Sequence, residues 1–133
     1  MQTKVFEPID VETEQFAKII IDCAFKVYVA LGPGLLESIY ETCLCHELTK
    51  QKINFKRQCS LPVVYDNIKL DEGLRIDILV EDKIIVELKA VEAMNPVFQS
   101  QLITYLKLTK KRLGLLINFN IPNFKKGIKR IIL

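Results

Sequence analysis

Asp77, Glu87 and Lys89 are the residues of this chain whose types and spacing bear on chemistry. They stand on two apolar runs, Arg75-Ile-Asp77-Ile-Leu-Val and Ile84-Ile-Val-Glu87-Leu-Lys89, joined by the polar Glu81-Asp82-Lys83. Both runs are rich in β-branched residues and read as the strands of a hairpin. Residues two apart on a strand share a face, so Glu87 and Lys89 project one way while Val86 and Leu88 project the other. A two-residue turn at Asp82-Lys83 sets Asp77 opposite Leu88, on the wrong face. A three-residue loop, Glu81-Asp82-Lys83, sets it opposite Glu87, with Cβ atoms roughly 5 Å apart. Two carboxylates so placed repel and destabilise the sheet unless something compensates. Mg²⁺ does so well, because it takes a few carboxylate oxygens together with waters and substrate phosphate. Lys89 beside them can steady the site, or position a water, or deprotonate one if its pKa is lowered. The plainer alternative is a solvated strand face on which Lys89 pairs with Asp77 or Glu87.

Other elements must bring further groups to the same place. Leu31-Gly-Pro-Gly34-Leu-Leu-Glu37-Ser-Ile-Tyr40 breaks one helix and launches another. Leu36, Ile39, Tyr40, Cys43, Leu44 and Leu48 form the expected buried stripe of that second helix, and Glu37 falls at its edge. A carboxylate there is costly unless paired or metal-bound; the alternative is a glutamate favoured by the helix start and leaning into water. Beyond the hairpin, Asn95 reads as an N-cap and Pro96 as the first helical residue. Gln101 and Tyr105, four apart, share a face of this helix, beside a packing ridge of Phe98, Leu102 and Leu106. Gln101 and Tyr105 can hydrogen-bond the lysine or a phosphate; otherwise Tyr105 is core and Gln101 its polar neighbour.

In order, these elements resemble a known family. Gly34, Glu37 and Tyr40 match the motif of the small bacterial and archaeal GxxExxY family, which belongs to the PD-(D/E)xK nuclease superfamily. Helix Glu, strand Asp, strand Glu-x-Lys and helix Gln-x-x-x-Tyr also resemble RecB-type nucleases, over roughly residues 12–133. The resemblance implies an α/β restriction-endonuclease-like core, a mixed central sheet flanked by helices, and Mg²⁺-dependent phosphodiester hydrolysis, with Mn²⁺ as a substitute metal. It implies Asp77 and Glu87 as metal ligands, Lys89 as the catalytic lysine and Glu37 as an accessory acid acting on the metal through water. Gln101 and Tyr105 become site-shaping residues, and Tyr40 packs and orients rather than reacts. The superfamily's proline before the aspartate is replaced here by Ile76. The iron–sulfur cluster of some RecB-type relatives is not expected, since Cys23, Cys43, Cys45 and Cys59 all lie in the first half.

Composition agrees with this expectation. With 133 residues, half of them hydrophobic, residues 1–133 suit one nuclease-like domain with a real core. No apolar stretch nears the ~18 residues needed to span a membrane, and no secretory signal leads the chain. The cysteines form no CxxC pair, and His46, expected half-buried at the border of the apolar stripe, is the only histidine. Structural zinc is therefore not expected, and reduced thiols in a cytoplasmic protein are the simplest account. Net charge is +3 but lopsided. Residues 1–94 hold 11 basic and 16 acidic residues, a net of −5. The remainder holds Lys107, Lys110, Lys111, Arg112, Lys125, Lys126, Lys129 and Arg130 and no acid. Clustered cations reward phosphate binding through counterion release, so a nucleic-acid partner, DNA in the first instance, is expected of this half; the plainer view is that Lys110-Lys111-Arg112 complements a helix C-terminus. A non-catalytic binding module, or a regulatory domain docking a protein partner or a second copy, is the rival reading.

Along the chain, the first helix is expected from Val11 to Ala30 with Phe16, Ile19, Ile20, Cys23 and Val27 inward, and the second ends near Lys52. Phe55–Tyr65 reads as a strand, Asp66-Asn67 as a tight turn into Ile68-Lys-Leu70, and Gly73 as a bulge or break before the Asp77 strand. Gly114 is expected to stop the Gln101 helix, and Leu115–Phe119 to return as a buried strand through a right-handed crossover. A short helix from Asn123 and a final strand or tail over Ile128–Leu133 complete the expected order.

Overall fold

A computed structural model describes residues 7–133, the side chain of Glu72 excepted. Helices α1 (Val11–Leu31) and α2 (Glu37–Lys50) come first, then strands β1 (Phe55–Tyr65), β2 (Ile68–Val80) and β3 (Ile84–Lys89). Helix α3 (Pro96–Thr109), strand β4 (Leu113–Asn118), a 3-10 turn (Phe124–Gly127) and β5 (Ile128–Ile132) follow. The five strands lie in chain order in one sheet, every neighbouring pair antiparallel except β3 and β4, which α3 joins in parallel. This is the mixed α/β architecture expected.

Local chemistry explains most boundaries. Asp10 caps α1, its carboxylate accepting from the Thr13 amide at 3.0 Å, and Asn95 caps α3 through Val97 N–H at 2.9 Å with Pro96 behind it. Asp66 and Asn67 both take positive φ, as the tight turn between β1 and β2 requires. β2 runs unbroken to Val80, and a register shift at Pro62/Val63 makes the predicted irregularity a bulge opposite Gly73.

Two apolar layers hold the sheet. Ile20, Val27, Tyr40, Leu44 and Leu48 of α1 and α2 pack on Ile78, Val80, Ile84, Val86 and Leu88, with Leu113, Leu115 and Ile117 of β4. On the other face Leu102 and Leu106 of α3 pack on Leu79, Ile85, Leu116 and Ile131. Each fully buried Leu or Ile contributes about 2 kcal/mol, so these ridges anchor the helices. β3 and β4 are buried on both faces, as a parallel pair between helix layers must be.

Three expectations are corrected. α2 buries Tyr40, Glu41, Leu44, Cys45 and Leu48, while Leu36 and Ile39 are exposed and Cys43 only partly covered. The inward face is rotated because Glu41 turns to the sheet and is compensated there by the Arg57 guanidinium (2.9 Å) and the Gln58 amide (2.6 Å). His46 follows the same rotation and is exposed rather than half-buried. Gly114 does not end α3. Lys110 does, in the left-handed region at φ 58, while Gly114 lies inside β4, where an added Cβ would meet the Leu102 side chain at 2.9 Å. The glycine is there to let α3 approach the sheet.

Candidate active site

The turn after β2 decides the site. Ile78 pairs with Val86, Leu79 with Ile85 and Val80 with Ile84, so Glu81-Asp82-Lys83 is a three-residue loop and Asp77 meets Glu87 at the next rung. Glu81 and Asp82 take positive φ and Lys83 N–H bonds back to the Val80 carbonyl at 2.9 Å. At the Asp77–Glu87 rung the regular pairing stops and carboxylates replace backbone carbonyls. Glu87 Oε1 accepts from Asp77 N–H at 3.2 Å, and Asp77 Oδ2 accepts from Leu88 N–H at 2.9 Å.

The same rung is irregular on the β1 side. Arg57 pairs with Ile78 and Cys59 with Ile76, but Gln58, at φ 48, and Asp77 between them do not pair. Ile78 packs in the α1–α2 layer and Ile76 in the α3 layer, although residues two apart on a regular strand share a face. Both strands therefore rotate at this rung. Asp77 sits at the pivot, in a notch between β2 and β3, which is where groups from both helix layers can meet.

Glu37 arrives from the α2 side. Gly32 (φ 70) and Gly34 (φ 101) make the left-handed turns that end α1 and launch α2. Tyr40 O–H donates to the Gly32 carbonyl at 2.6 Å and accepts from Leu35 N–H at 3.1 Å, and its ring stacks on Phe119 at 4.5 Å. Tyr40 is thus a buried brace for the loop that leads into Glu37. Much of Glu37 is open to solvent, yet protein crowds its carboxyl enough to raise its pKa, Asp77 raising it further and Lys89 opposing.

Lys89 and Tyr105 arrive on the α3 side. Lys89 Nζ lies 4.4 Å from the centroid of the Phe98 ring, a cation–π seat. The Tyr105 phenol is raised by burial first, then by the charges of Glu87 and Asp77. Gln101 is exposed one turn before it, and among the described residues it makes no side-chain hydrogen bond. Glu87 is buried, and burial, then the Asp77 charge, push its carboxyl up to about 9; the Asp77 amide and Lys89 oppose this without cancelling it.

Glu37, Asp77, Glu87, Lys89 and Tyr105 thus share one electrostatic neighbourhood. Its donor set suits a hard cation: two adjacent oxygen-donor groups, one of them holding a proton at neutral pH that a cation would displace. Among the described residues no group of three or more His, Cys, Asp or Glu is gathered closely enough to hold a metal alone. An apolar concavity of about 390 Å³ lies away from these residues, between α1 and α2.

Three supporting groups escaped the sequence reading. Phe98, a packing residue by its place in the helix pattern, also seats Lys89. Asn118 is buried and exchanges hydrogen bonds with Val91 (2.9 and 3.1 Å), fixing the loop that follows Lys89; its signal is a polar residue in an apolar strand. Glu41 lies one turn after Glu37, the signal being the four-residue spacing.

The eight C-terminal cations do not gather. Lys110, Lys111 and Arg112 precede β4, whose start pairs with Ile84, so they lie at the end of the sheet opposite Lys89. Lys111 pairs with Asp82 at 3.2 Å, and Arg112 donates to the Leu133, Pro8 and Glu7 carbonyls. Lys107 occupies the last turn of α3 near that same end, and Arg130 pairs with Glu14. Lys129 is exposed on β5, opposite Leu116. Lys125 and Lys126, exposed on the 3-10 turn after β4, lie at the Lys89 end.

The fold is thus a mixed sheet between helix layers, with an Asp…Glu-x-Lys set carried on two adjacent strands. The chain belongs to the PD-(D/E)XK nuclease superfamily, whose family model matches residues 14–131. Neither the curated proteins nor the solved structures gave a match. Among the described residues no helix is long and apolar enough to cross a membrane.

Proposed function

We propose that this protein hydrolyses phosphodiester bonds in a nucleic acid, DNA in the first instance, with Mg²⁺ held by Asp77 and Glu87. The observation that carries this reading is the meeting of those two carboxyl groups at an unpaired rung, with Glu87 buried. When bound, the cation supplies positive charge against the scissile phosphate and lowers the pKa of a water. Asp77 contributes an oxygen beside the Leu88 amide that orients it. Glu87 would hold the cation as the carboxylate, its proton passing to solvent. Lys89, steered by the Phe98 ring, holds the attacking water or offsets charge that grows on the phosphate oxygens. Glu37 closes the helix side and takes a proton through water, its raised pKa suiting that exchange. Tyr105 and Gln101 shape the α3 wall, and Tyr40 keeps Glu37 aimed.

The Gly34, Glu37 and Tyr40 spacing supports the narrower placement in the GxxExxY family. Four free thiols support a reducing, cytoplasmic setting. Lys125 and Lys126 are the basic residues best placed to meet a bound strand. The test is cleavage of labelled DNA and RNA, single- and double-stranded, with Mg²⁺ or Mn²⁺, beside Lys89→Ala. Turnover that the variant loses while keeping its fold supports the reading. Turnover that survives in Lys89→Ala, or none on any substrate, refutes it.

A further inference from the structure

β3 reaches only Ile78–Val80 of β2, so most of the β1–β2 hairpin projects past the sheet at the end that carries Lys89. Beyond the bulge, Val63 pairs with Leu70 and Tyr65 with Ile68. Alternation puts these four side chains on one face of the ribbon, continuing the line of Cys59 and Leu61, which pack in the α3 layer. α3 covers that layer over β3, β4 and β5, and the ribbon extends beyond it. The stripe is accordingly bare toward its tip, Tyr65 being 72% and Ile68 57% exposed. A two-stranded ribbon with an uncovered apolar face is marginal in water.

We propose that a second copy of this chain covers it, the two ribbons stacking face to face about a two-fold axis. Charge selects the occupant. Residues 59–75 carry Lys69 and Arg75 against Asp66, Asp71 and Glu72, a net of −1, which does not attract a phosphate backbone. The stripe itself bears no charge, so an identical face meets it without like-charge contact, as an isologous interface requires. Stacked ribbons form a small two-layer sandwich, the arrangement in which antiparallel faces bury each other. The exposed part of the stripe amounts to roughly 400 Å² per copy, about half of a standard stable interface. The dimer is therefore weak and concentration-dependent, dissociating in the micromolar range or above.

Sedimentation velocity over about 5–500 μM tests this range. The wild-type coefficient should rise from monomer toward dimer, and Ile68→Glu should move the midpoint at least tenfold higher while the circular dichroism stays unchanged. Tyr65→Ser should act in the same direction, without adding charge. A wild-type monomer across the whole range overturns the proposal, as does unaltered dimerisation of Ile68→Glu. Loss of the dimer in Leu36→Glu alone overturns it too, by placing the interface on α2. A monomer whose binding of a labelled oligonucleotide is weakened by Ile68→Glu makes the arm a nucleic-acid contact instead.

Discussion

Replacing Glu87 by glutamine should remove a pH-dependent weakness of the metal-free protein. Burial and the neighbouring Asp77 charge push the Glu87 carboxyl up to about 9, from the usual 4.5. The folded state therefore holds this proton more tightly than the unfolded chain does. Its contribution to stability is complete below pH 4.5 and is lost as pH rises toward about 9. Between 4.5 and 7 the loss is about 3 kcal/mol, at 1.36 kcal/mol per unit, a large share of a typical total stability. Glutamine keeps an oxygen for the Asp77 amide and a donor toward the Asp77 carboxylate, but never ionises. Urea unfolding in chelator, run from pH 5 to 8.5, should show the wild type falling with pH relative to Glu87→Gln by a few kcal/mol. Excess Mg²⁺ should then restore the wild type and leave the variant unmoved, since only an ionised pair binds it. Parallel pH curves for the two proteins, or equal stabilisation of both by Mg²⁺, would refute the reasoning.

Phe98→Leu keeps the apolar contact but removes the ring beneath Lys89, and should lower kcat about tenfold with little change in stability; cleavage kinetics and thermal melts measured together check it. Tyr40→Phe loses both hydrogen bonds to the Gly32–Leu35 loop, and should cost about 1–2 kcal/mol by chemical denaturation while loosening Glu37. Arg57→Ala strips the buried Glu41 carboxylate of its guanidinium partner and should destabilise by about 2–3 kcal/mol, with Glu41→Gln in the same background recovering part of that. Gly114→Ala should destabilise by about 1–3 kcal/mol, because a methyl there drives into Leu102.

Much of the fold was legible because its signals are local. The caps at Asn95 and Pro96, the Asp66-Asn67 turn and the β-branched runs depend on neighbours within a few residues, and each element appears where they put it. Parity carried the site: a three-residue loop can bring Asp77 opposite Glu87, and the register does so. The burial of Glu41 was not legible, because it depends on Arg57 and Gln58, sixteen and seventeen residues away. Gly114 was misread because a glycine after a helix has the same local appearance whether it ends the helix or lets the helix approach a strand.

Residue order alone determined the helices and strands and the chemical types available to a site, since torsional preference and alternation act over one or two turns of chain. Only the tertiary structure decided the rest. It rotated β1 and β2 at the Gln58–Asp77 rung, seated Lys89 on Phe98, and divided the basic residues between the two ends of the sheet. Those outcomes come from packing two helix layers against a twisted sheet. Such packing couples residues distant in sequence, and no local pattern encodes it.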